Sequence, residues 1–166
     1  LPSANFVVQQ LLACLRVKSQ VAICVKELVV VIPEILGSRT CLGVVWRLLE
    51  CCIAHGTKGK DVCRALIQAA SSSNRDVVES LLGLTLGTTN VKSTGEDKES
   101  HPHASSSGDS SAKTKRALYV DIAGSRVIQQ LLRLHFAICR PILQSIVDLP
   151  SRTLAALAKD PVASRA

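Results

Sequence analysis

Apolar residues recur along this chain at intervals of three and four positions, in short blocks separated by polar or turn-forming residues. This period is that of an amphipathic helix with one buried face. Ser, Asn and Asp at the block starts are N-cap candidates, and Pro33 is expected to end the second block. The pattern predicts helices at residues 3–16, 19–31, 38–54, 57–70, 74–84, 121–136, 138–149 and 151–159. Many short helices with tight connections predict an all-α stacked array.

The apolar periodicity disappears between residues 87 and 116, a segment rich in Ser, Gly, Lys and Asp. Such a segment buries too little apolar surface to offset the entropy lost when a chain is ordered. We therefore expect a disordered insertion at 87–116, between helical repeats at 1–86 and at 117–166. His101 and His103 lie in this segment, but two potential ligands on a flexible strand do not make a metal site.

Composition also favours helices, because hydrophobic residues make up 47% of the chain and aromatic residues, which strands use heavily, only 2%. The formal net charge of +7 favours an anionic partner, such as nucleic acid, an acidic protein or a lipid surface. Residues 1–90 carry nine basic and six acidic side chains, and residues 117–166 carry six and three. The excess positive charge therefore belongs to the helical segments and indicates a structured basic surface.

The seven cysteines lie mostly in apolar runs and form no C-x-x-C pair. We expect free, buried thiols in a reducing compartment and no structural zinc site. No signal-peptide pattern is visible, and the apolar run from Val21 to Leu36 contains too many charges to span a bilayer. With no initiator methionine, the chain is expected to be an intracellular piece of a longer protein.

Two segments of the chain match one another at an offset of 120 residues. Residues 4–12, ANFVVQQLL, are identical to residues 124–132, GSRVIQQLL, at five of nine positions, with the apolar positions in phase. A third copy is expected to begin at Gly37 and a fourth at Ala163, at spacings of 33 and 39 residues that are typical of helical repeats. The 87 residues between Gly37 and Gly124 fit one long repeat carrying the insertion, or one repeat and a degenerate unit.

Conspicuous side chains in these copies fall at positions i, i+1 and i+4 of a helix. The sets are Asn5, Phe6 and Gln9; Ser38, Arg39 and Leu42; Ser125, Arg126 and Gln129; and Ser164 and Arg165, after which the chain stops. Side chains at i and i+4 project from one face a turn apart, so their polar tips can meet one hydrogen-bonding edge. A ring or guanidinium at i+1 can stack beside it. The spacing suits a splayed nucleobase, although Leu42 cannot hydrogen-bond to one.

This pattern resembles the base-reading helix of Pumilio (PUF) repeats, and the resemblance covers nearly the whole chain outside 87–116. It implies an α-solenoid that binds single-stranded RNA on its concave face, with two or three side chains for each base. By the family's code, the set at Asn5 resembles a uracil reader and the set at Ser125 resembles an adenine reader. The two partial sets are implied RNA contacts at Ser38, Arg39, Ser164 and Arg165.

The Asp-Pro-x-x-Ser-Arg motif at 160–165, the divergent repeats and the charged insertion are similar to the nucleolar protein 9 family, Pumilio-like proteins of ribosomal RNA maturation. That resemblance implies a factor of small-subunit ribosome biogenesis in the nucleolus of the nucleus. Its RNA would be precursor ribosomal RNA, and proteins of the pre-ribosomal particle are further candidate partners. Arg16 and Arg133 on the same predicted helices are candidate phosphate contacts.

No catalytic motif is visible, so we expect no enzyme activity, cofactor, metal or small-molecule substrate. The segment at 56–60, GTKGK, lacks the spacing of a phosphate loop and follows a helix, which predicts a helix connector. His135 is expected to pack on the core side of its helix. Two alternatives remain open: a HEAT- or armadillo-like protein-interaction solenoid without RNA binding, and a helical domain of a larger enzyme.

Overall fold

The computed structural model describes residues 2–72, 76–84 and 120–160. Within those ranges the chain forms eight α-helices and no β-strand, which confirms the all-α prediction. The helices are α1 (Pro2–Cys14), α2 (Lys18–Ser38), α3 (Leu42–Ala54), α4 (Gly59–Ser72), α5 (Val77–Leu82), α6 (Ile122–Leu132), α7 (Phe136–Val147) and α8 (Ser151–Lys159). None of these helices combines the length and the apolar character needed to cross a membrane.

The helices pack in two layers. Helices α1, α3 and α6 lie side by side, with α3 in the middle, and are called the α1–α3–α6 layer below. In the second layer α2 packs along α4, and α4 contacts α7. The short helix α5 packs against both α6 and α7 and so joins the two layers. Helices α1, α3 and α6 are each followed along the chain by a helix of the second layer, α2, α4 and α7, as in a stack of helical repeats.

Aliphatic side chains form the core between the layers. Leu12 of α1, Ile32 of α2, Leu48 of α3, Leu66 of α4 and Leu131 of α6 are each almost completely buried. Full burial of one such side chain contributes about 1.5–3 kcal/mol to stability. These residues belong to one continuous cluster, so neighbouring repeats share their hydrophobic core.

Helix α2 continues through the proline that the sequence pattern expected to end it. The helix runs from Lys18 to Ser38 with Pro33 inside it, and this part of the prediction is wrong. A proline in a helix interior costs about 3 kcal/mol. Here the ring is exposed, while Ile32 and Leu36 beside it are buried in the core and together contribute about 3–6 kcal/mol. The burial of these two side chains outweighs the local cost of the ring.

The helix caps agree with the sequence pattern at Asp121 and differ from it at Asp76, two residues after the predicted start, and at a histidine. Asp76 caps α5 and Asp121 caps α6, each accepting a hydrogen bond from the backbone N–H two residues ahead, at 2.9 and 2.8 Å. His135 caps α7, since its Nδ1 accepts from the backbone N–H of Ala137 at 3.3 Å. The expectation that His135 packs in the core is therefore wrong, because its cap position lies at the exposed end of the helix.

The chain leaves the described part of the fold after α5 and returns to it before α6, and these two points are adjacent. The backbone N–H of Asp121 donates to the carbonyl of Leu82 at 3.0 Å. Helix α6 lies so close to α5 at Gly124 that a Cβ there would be 1.7 Å from the carbonyl oxygen of Leu81. The predicted insertion at 87–116 lies outside the described residues. If the insertion were removed, α5 and α6, which already contact each other, would also be close to each other along the chain.

Candidate nucleic-acid interface

The two complete sets of predicted base contacts occupy equivalent places in helices of the α1–α3–α6 layer. The fourth, fifth and eighth residues of α1 are Asn5, Phe6 and Gln9, and those of α6 are Ser125, Arg126 and Gln129. Helix α3 begins 40 residues after α1, and its fourth, fifth and eighth residues are Val45, Trp46 and Leu49. Three neighbouring helices thus carry one set each.

In α1 the two amide side chains meet, as their spacing predicts. Gln9 Nε2 donates to Asn5 Oδ1 at 2.7 Å, and Asn5 Nδ2 donates to the carbonyl of Thr40 at 3.0 Å. The Gln9 amide lies against α3 at Gly43, where a Cβ would be 2.8 Å from Nε2. Within the described part of the chain, Gln9 Oε1 and one N–H of Nε2 keep no partner. Phe6, the next residue after Asn5, is 67% exposed.

In α6 only part of the predicted set is open to solvent. Arg126 is exposed and Gln129 is half-buried, whereas Ser125 is 4% exposed. Ser125 and Gln129 converge, but on a cavity of about 150 Å³ that is otherwise lined by apolar side chains, including Leu82 and Leu157. We expected the Ser125 hydroxyl on an open surface, and the structure instead buries it, because helices on either side of α6 along the chain pack around this position.

The third copy, expected to begin at Gly37, does not start a helix. Ser38 is the last residue of α2, and Arg39 follows it with a left-handed φ of 58°. The Arg39 guanidinium donates to the carbonyls of Ser80 and Leu81 at 2.6 and 3.1 Å and to Asp121 Oδ2 at 2.9 Å. These bonds tie α2 to the end of α5 and the start of α6. Arg39 is thus a structural link between helices, whereas Ser38 is exposed at the end of α2, and the RNA contacts predicted at these two residues stay predictions.

The equivalent set in α3 is apolar at the two positions that would read a base edge. Val45 is 1% exposed and Leu49 is fully buried, so neither can hydrogen-bond to a ligand. Trp46, at the fifth position, is half-buried. The guanidinium carbons of Arg47 and Arg126 lie 4.2 and 5.0 Å from the centre of its ring, within the range of a cation–π interaction. The fifth-position side chains of α3 and α6 are therefore in contact.

Trp46 is the residue of this layer that the repeat pattern did not reveal. It is the single tryptophan of the chain and stands 40 residues after Phe6, so an alignment at that offset superposes two aromatic residues. The sequence Gly-Ser-Arg at 37–39 led to a different alignment, because it is identical to residues 124–126. In the structure, however, 37–39 lie at the end of a helix, whereas 124–126 lie near the start of one. An aromatic residue at a fixed helix position was the better signal.

The remaining predicted contacts are cationic or lie outside the described residues. Ser164 and Arg165 are outside the described ranges, so their role stays a prediction. Arg16 is exposed just after the end of α1. Arg133 is the exposed C-cap of α6, and its Nη1 donates to Gln130 Oε1 at 3.2 Å. Both arginines retain N–H groups that can reach an anion in solution.

The cysteines are free, and two of the buried ones have unreactive thiols. Cys52 and Cys63 pack in the core, and burial raises the pKa of Cys52 from 9.0 to about 12 and that of Cys63 to about 11. A thiol with such a pKa is protonated at neutral pH and is a poor nucleophile. Among the described residues no three potential metal ligands cluster together.

A family model described as a NOP9-like PUF repeat domain matches residues 1–166. The chain belongs to the NOP9-like PUF repeat family. This confirms the predicted resemblance to Pumilio-like proteins and to their α-solenoid of helical repeats. No curated protein sequence gives a significant match.

Two solved structures of APUM23 have the fold of these NOP9-like PUF repeats. One is of APUM23 with its insert region deleted, described with the sequence GGAAUUGACGG, and the other is described with GGAUUUGACGG. The first has a TM-score of 0.71 and 22% identity over 98% of this chain, and the second has 0.70 and 22% over 98%. This chain covers 29% and 28% of those chains, so it spans less than a third of their length.

Proposed function

We propose that this chain binds single-stranded RNA through the α1–α3–α6 layer. The observation that carries the proposal is the set of side chains at the fourth, fifth and eighth positions of three helices that lie side by side. Membership of the NOP9-like PUF repeat family supports it, as does the net charge of +7. The sequences named with the two APUM23 structures contain uracil and are therefore RNA sequences.

The set in α1 has the chemistry of a base-edge contact. The Asn5 carbonyl oxygen holds the Gln9 amide in place at 2.7 Å, which leaves Gln9 with one acceptor and one N–H donor side by side. That pair complements a base edge on which a donor stands beside an acceptor, such as N3–H and O4 of uracil. The exposed ring of Phe6 supplies a stacking surface next to it. We expect α1 to prefer uracil.

The set in α3 supplies stacking without base-edge hydrogen bonds. Trp46 offers a ring, and the buried Val45 and Leu49 offer no polar atom. The 5.0 Å between the Trp46 ring and the Arg126 guanidinium is too small for an inserted base, which needs about 6.8 Å at a stacking distance of about 3.4 Å on each side. Insertion of a base between Trp46 and Arg126 therefore requires Arg126 to move by about 2 Å, and its exposed side chain is able to do so.

We further propose that the RNA is precursor ribosomal RNA and that the protein acts in the nucleolus during small-subunit assembly. Family membership supports this finer proposal, through the similarity of the sequence to the nucleolar protein 9 family. Ultraviolet crosslinking of the full-length protein in cells, followed by sequencing of the attached RNA, tests it. Recovery of precursor ribosomal RNA is expected, and recovery of messenger RNA alone would contradict it.

The RNA-binding proposal is tested by titrating the chain with labelled single-stranded RNA oligonucleotides of varied sequence. Because Trp46 is the only tryptophan, its fluorescence reports directly on the contact between α3 and α6. We expect uracil-containing RNA to bind and to change the Trp46 emission. The double substitution Asn5→Ala and Gln9→Ala should weaken binding about tenfold, since two hydrogen bonds contribute roughly 1–3 kcal/mol in total.

A matched control removes two amide groups from the other layer. Gln20 and Gln68 are exposed on α2 and α4, and the double substitution Gln20→Ala and Gln68→Ala should leave the affinity unchanged. Equal affinities for the two double variants would contradict base contact by α1. An unchanged Trp46 emission together with no measurable RNA binding would overturn the proposal and favour the protein-interaction solenoid.

A further inference from the structure

A second polar site lies away from the base-contact positions, where two helix connections meet. The connection between α3 and α4 and the connection between α6 and α7 enclose a cavity of about 320 Å³. Its apolar walls include Cys52, Ile53 and Ile138. Four basic side chains surround it: Lys58, Lys60, Arg133 and His135. Among the described residues that line this cavity, which we call the basic pocket, none is acidic.

The basic side chains keep donors available for a ligand. Lys60 forms no ion pair within the described part of the chain, and Arg133 uses one nitrogen for its bond to Gln130. His135 accepts a backbone hydrogen bond at Nδ1, so the proton of the neutral ring is on Nε2, which remains a donor. Lys58 alone is paired, with Asp61 at 3.2 Å, and that pair is largely exposed to solvent.

Packing between repeats sets the shape of the pocket. Gly56 and Lys58 both have a left-handed φ of 58°, which turns the connection sharply before α4 begins. Leu134 lies over Gly59, where a Cβ would be 2.6 Å from Leu134 Cδ2. The connection between α6 and α7 therefore rests directly on the start of α4, and the residues that carry the donors belong to two repeats in contact. Separation of the repeats would destroy the pocket.

We propose that the basic pocket binds a backbone phosphate of the RNA whose bases contact the α1–α3–α6 layer. Arg133 lies seven residues after Arg126, or about 10 Å along the helix axis, so one strand can reach both places. Several cationic donors in a lining without acidic side chains fit a phosphodiester, which carries one negative charge and two open oxygens. This inference rests on the proposed RNA binding and adds to it a contact that carries no sequence information.

The test compares two double substitutions with the same change in charge. Lys60→Gln with Arg133→Gln removes two charges from the pocket, and Lys26→Gln with Arg64→Gln removes two exposed charges from α2 and α4. RNA affinity is measured over a salt series. For the pocket variant we expect several-fold weaker binding at low salt and a log–log salt slope that is shallower by about 0.7 for each phosphate that the protein no longer neutralises. The base preference should not change, and the control variant should stay close to the parent chain.

A scan with single methylphosphonate linkages, which are uncharged, locates the phosphate. At one position along the RNA, the methylphosphonate linkage should weaken binding to the parent chain and leave the affinity of the pocket variant unchanged. Equal salt slopes for the two double variants, or equal losses of affinity from methylphosphonate in the parent and the pocket variant, would overturn the inference while leaving RNA binding intact.

A third measurement distinguishes failure of RNA binding from failure of the basic pocket to bind anions. If the parent chain binds no RNA, both proposals fail as stated. Titration with inorganic phosphate and with a phosphoserine peptide, followed through the backbone amide signals of residues 56–60, then shows whether the pocket binds anions at all. Saturable shifts with the peptide would assign the pocket to a phosphorylated protein. If the parent chain does bind RNA, tighter binding of that peptide than of RNA would also overturn the assignment of the pocket to RNA.

Discussion

Gly124 permits α6 to lie directly on the end of α5. Substitution Gly124→Ala would place a methyl group 1.7 Å from the Leu81 carbonyl oxygen, so one of the helices has to shift. We expect a loss of about 1–3 kcal/mol or more in the free energy of unfolding, as for an overpacked core. Urea denaturation measures it. The change is informative because the obstructing atom belongs to the backbone and cannot rotate away.

Gly37 provides the control for this prediction. It is also a helical glycine, but a Cβ there meets nothing within 4 Å. Alanine has the higher helix propensity, so Gly37→Ala should raise stability by up to about 1 kcal/mol. A similar loss for both substitutions would show that contact with α5 is not what requires glycine at position 124.

Single positions in the candidate site were predictable where local spacing decides the outcome. The meeting of Asn5 and Gln9 followed from their separation of one helical turn, and the bond between them is confirmed at 2.7 Å. The burial of Ser125 did not follow, because it depends on helices that pack around α6 and not on the α6 sequence. Trp46 was missed because apolar neighbours at Val45 and Leu49 hide the set to which it belongs.

Arg39 joins three helices, and its removal should loosen them together. The guanidinium donates to two carbonyls at the end of α5 and forms an ion pair with Asp121 at 2.9 Å, with both side chains of the pair partly buried. We expect Arg39→Ala to cost about 2 kcal/mol, since a hydrogen bond to a charged group contributes roughly 1.5–3 kcal/mol when buried and less when partly exposed. Thermal unfolding monitored by circular dichroism checks this value.

Lys58 is a close match for comparison with Arg39. It has the same left-handed φ of 58° and pairs with Asp61, but that pair is exposed and lies within one turn of one helix start. Lys58→Ala should therefore cost less than about 0.5 kcal/mol. Equal losses for Arg39→Ala and Lys58→Ala would mean that the backbone conformation, and not the links between helices, accounts for the effect.

The existence of the helices was predictable, and their boundaries were less so. Apolar periodicity identified every one of the described helices, because the same face that repeats in sequence is the face that packs between the layers. The errors occur where a contact from another part of the chain decides the end of an element. Pro33 did not end α2, since Ile32 and Leu36 are held in the core, and Ser38 did not start α3.

At the scale of the molecule, the repeats on either side of residues 85–119 form one stack. Deletion of the predicted insertion at 87–116, with a short Gly-Ser linker in its place, should preserve the fold, because the Asp121–Leu82 bond already joins the two ends. A shorter loop loses less entropy on closure, by about 0.6 kcal/mol for each halving of its length. We expect the unfolding midpoint in urea to stay the same or to rise slightly.

A large loss of stability on deletion of residues 87–116 would contradict this prediction. A loss of more than about 2 kcal/mol, with a weaker dependence on urea concentration, would show that residues 87–116 contribute to the packed structure, because less surface is then exposed on unfolding. The RNA affinity of the same variant separates a structural role from a binding role. Unchanged stability with weaker RNA binding would assign these residues to the interface.

The adjacency of Leu82 and Asp121 in the fold also affects how the chain is exposed during its synthesis. Residues 83–119 separate α5 from the part of the fold that begins at Val120, so a ribosome adds 37 residues between them, in about 2–7 s at about 5–20 residues per second. During that interval Leu81 and Leu82, which are buried in the finished fold, lack the helix that covers them. The nascent chain therefore exposes these two apolar side chains until α6 has been made, and the speed of translation sets how long that exposure lasts.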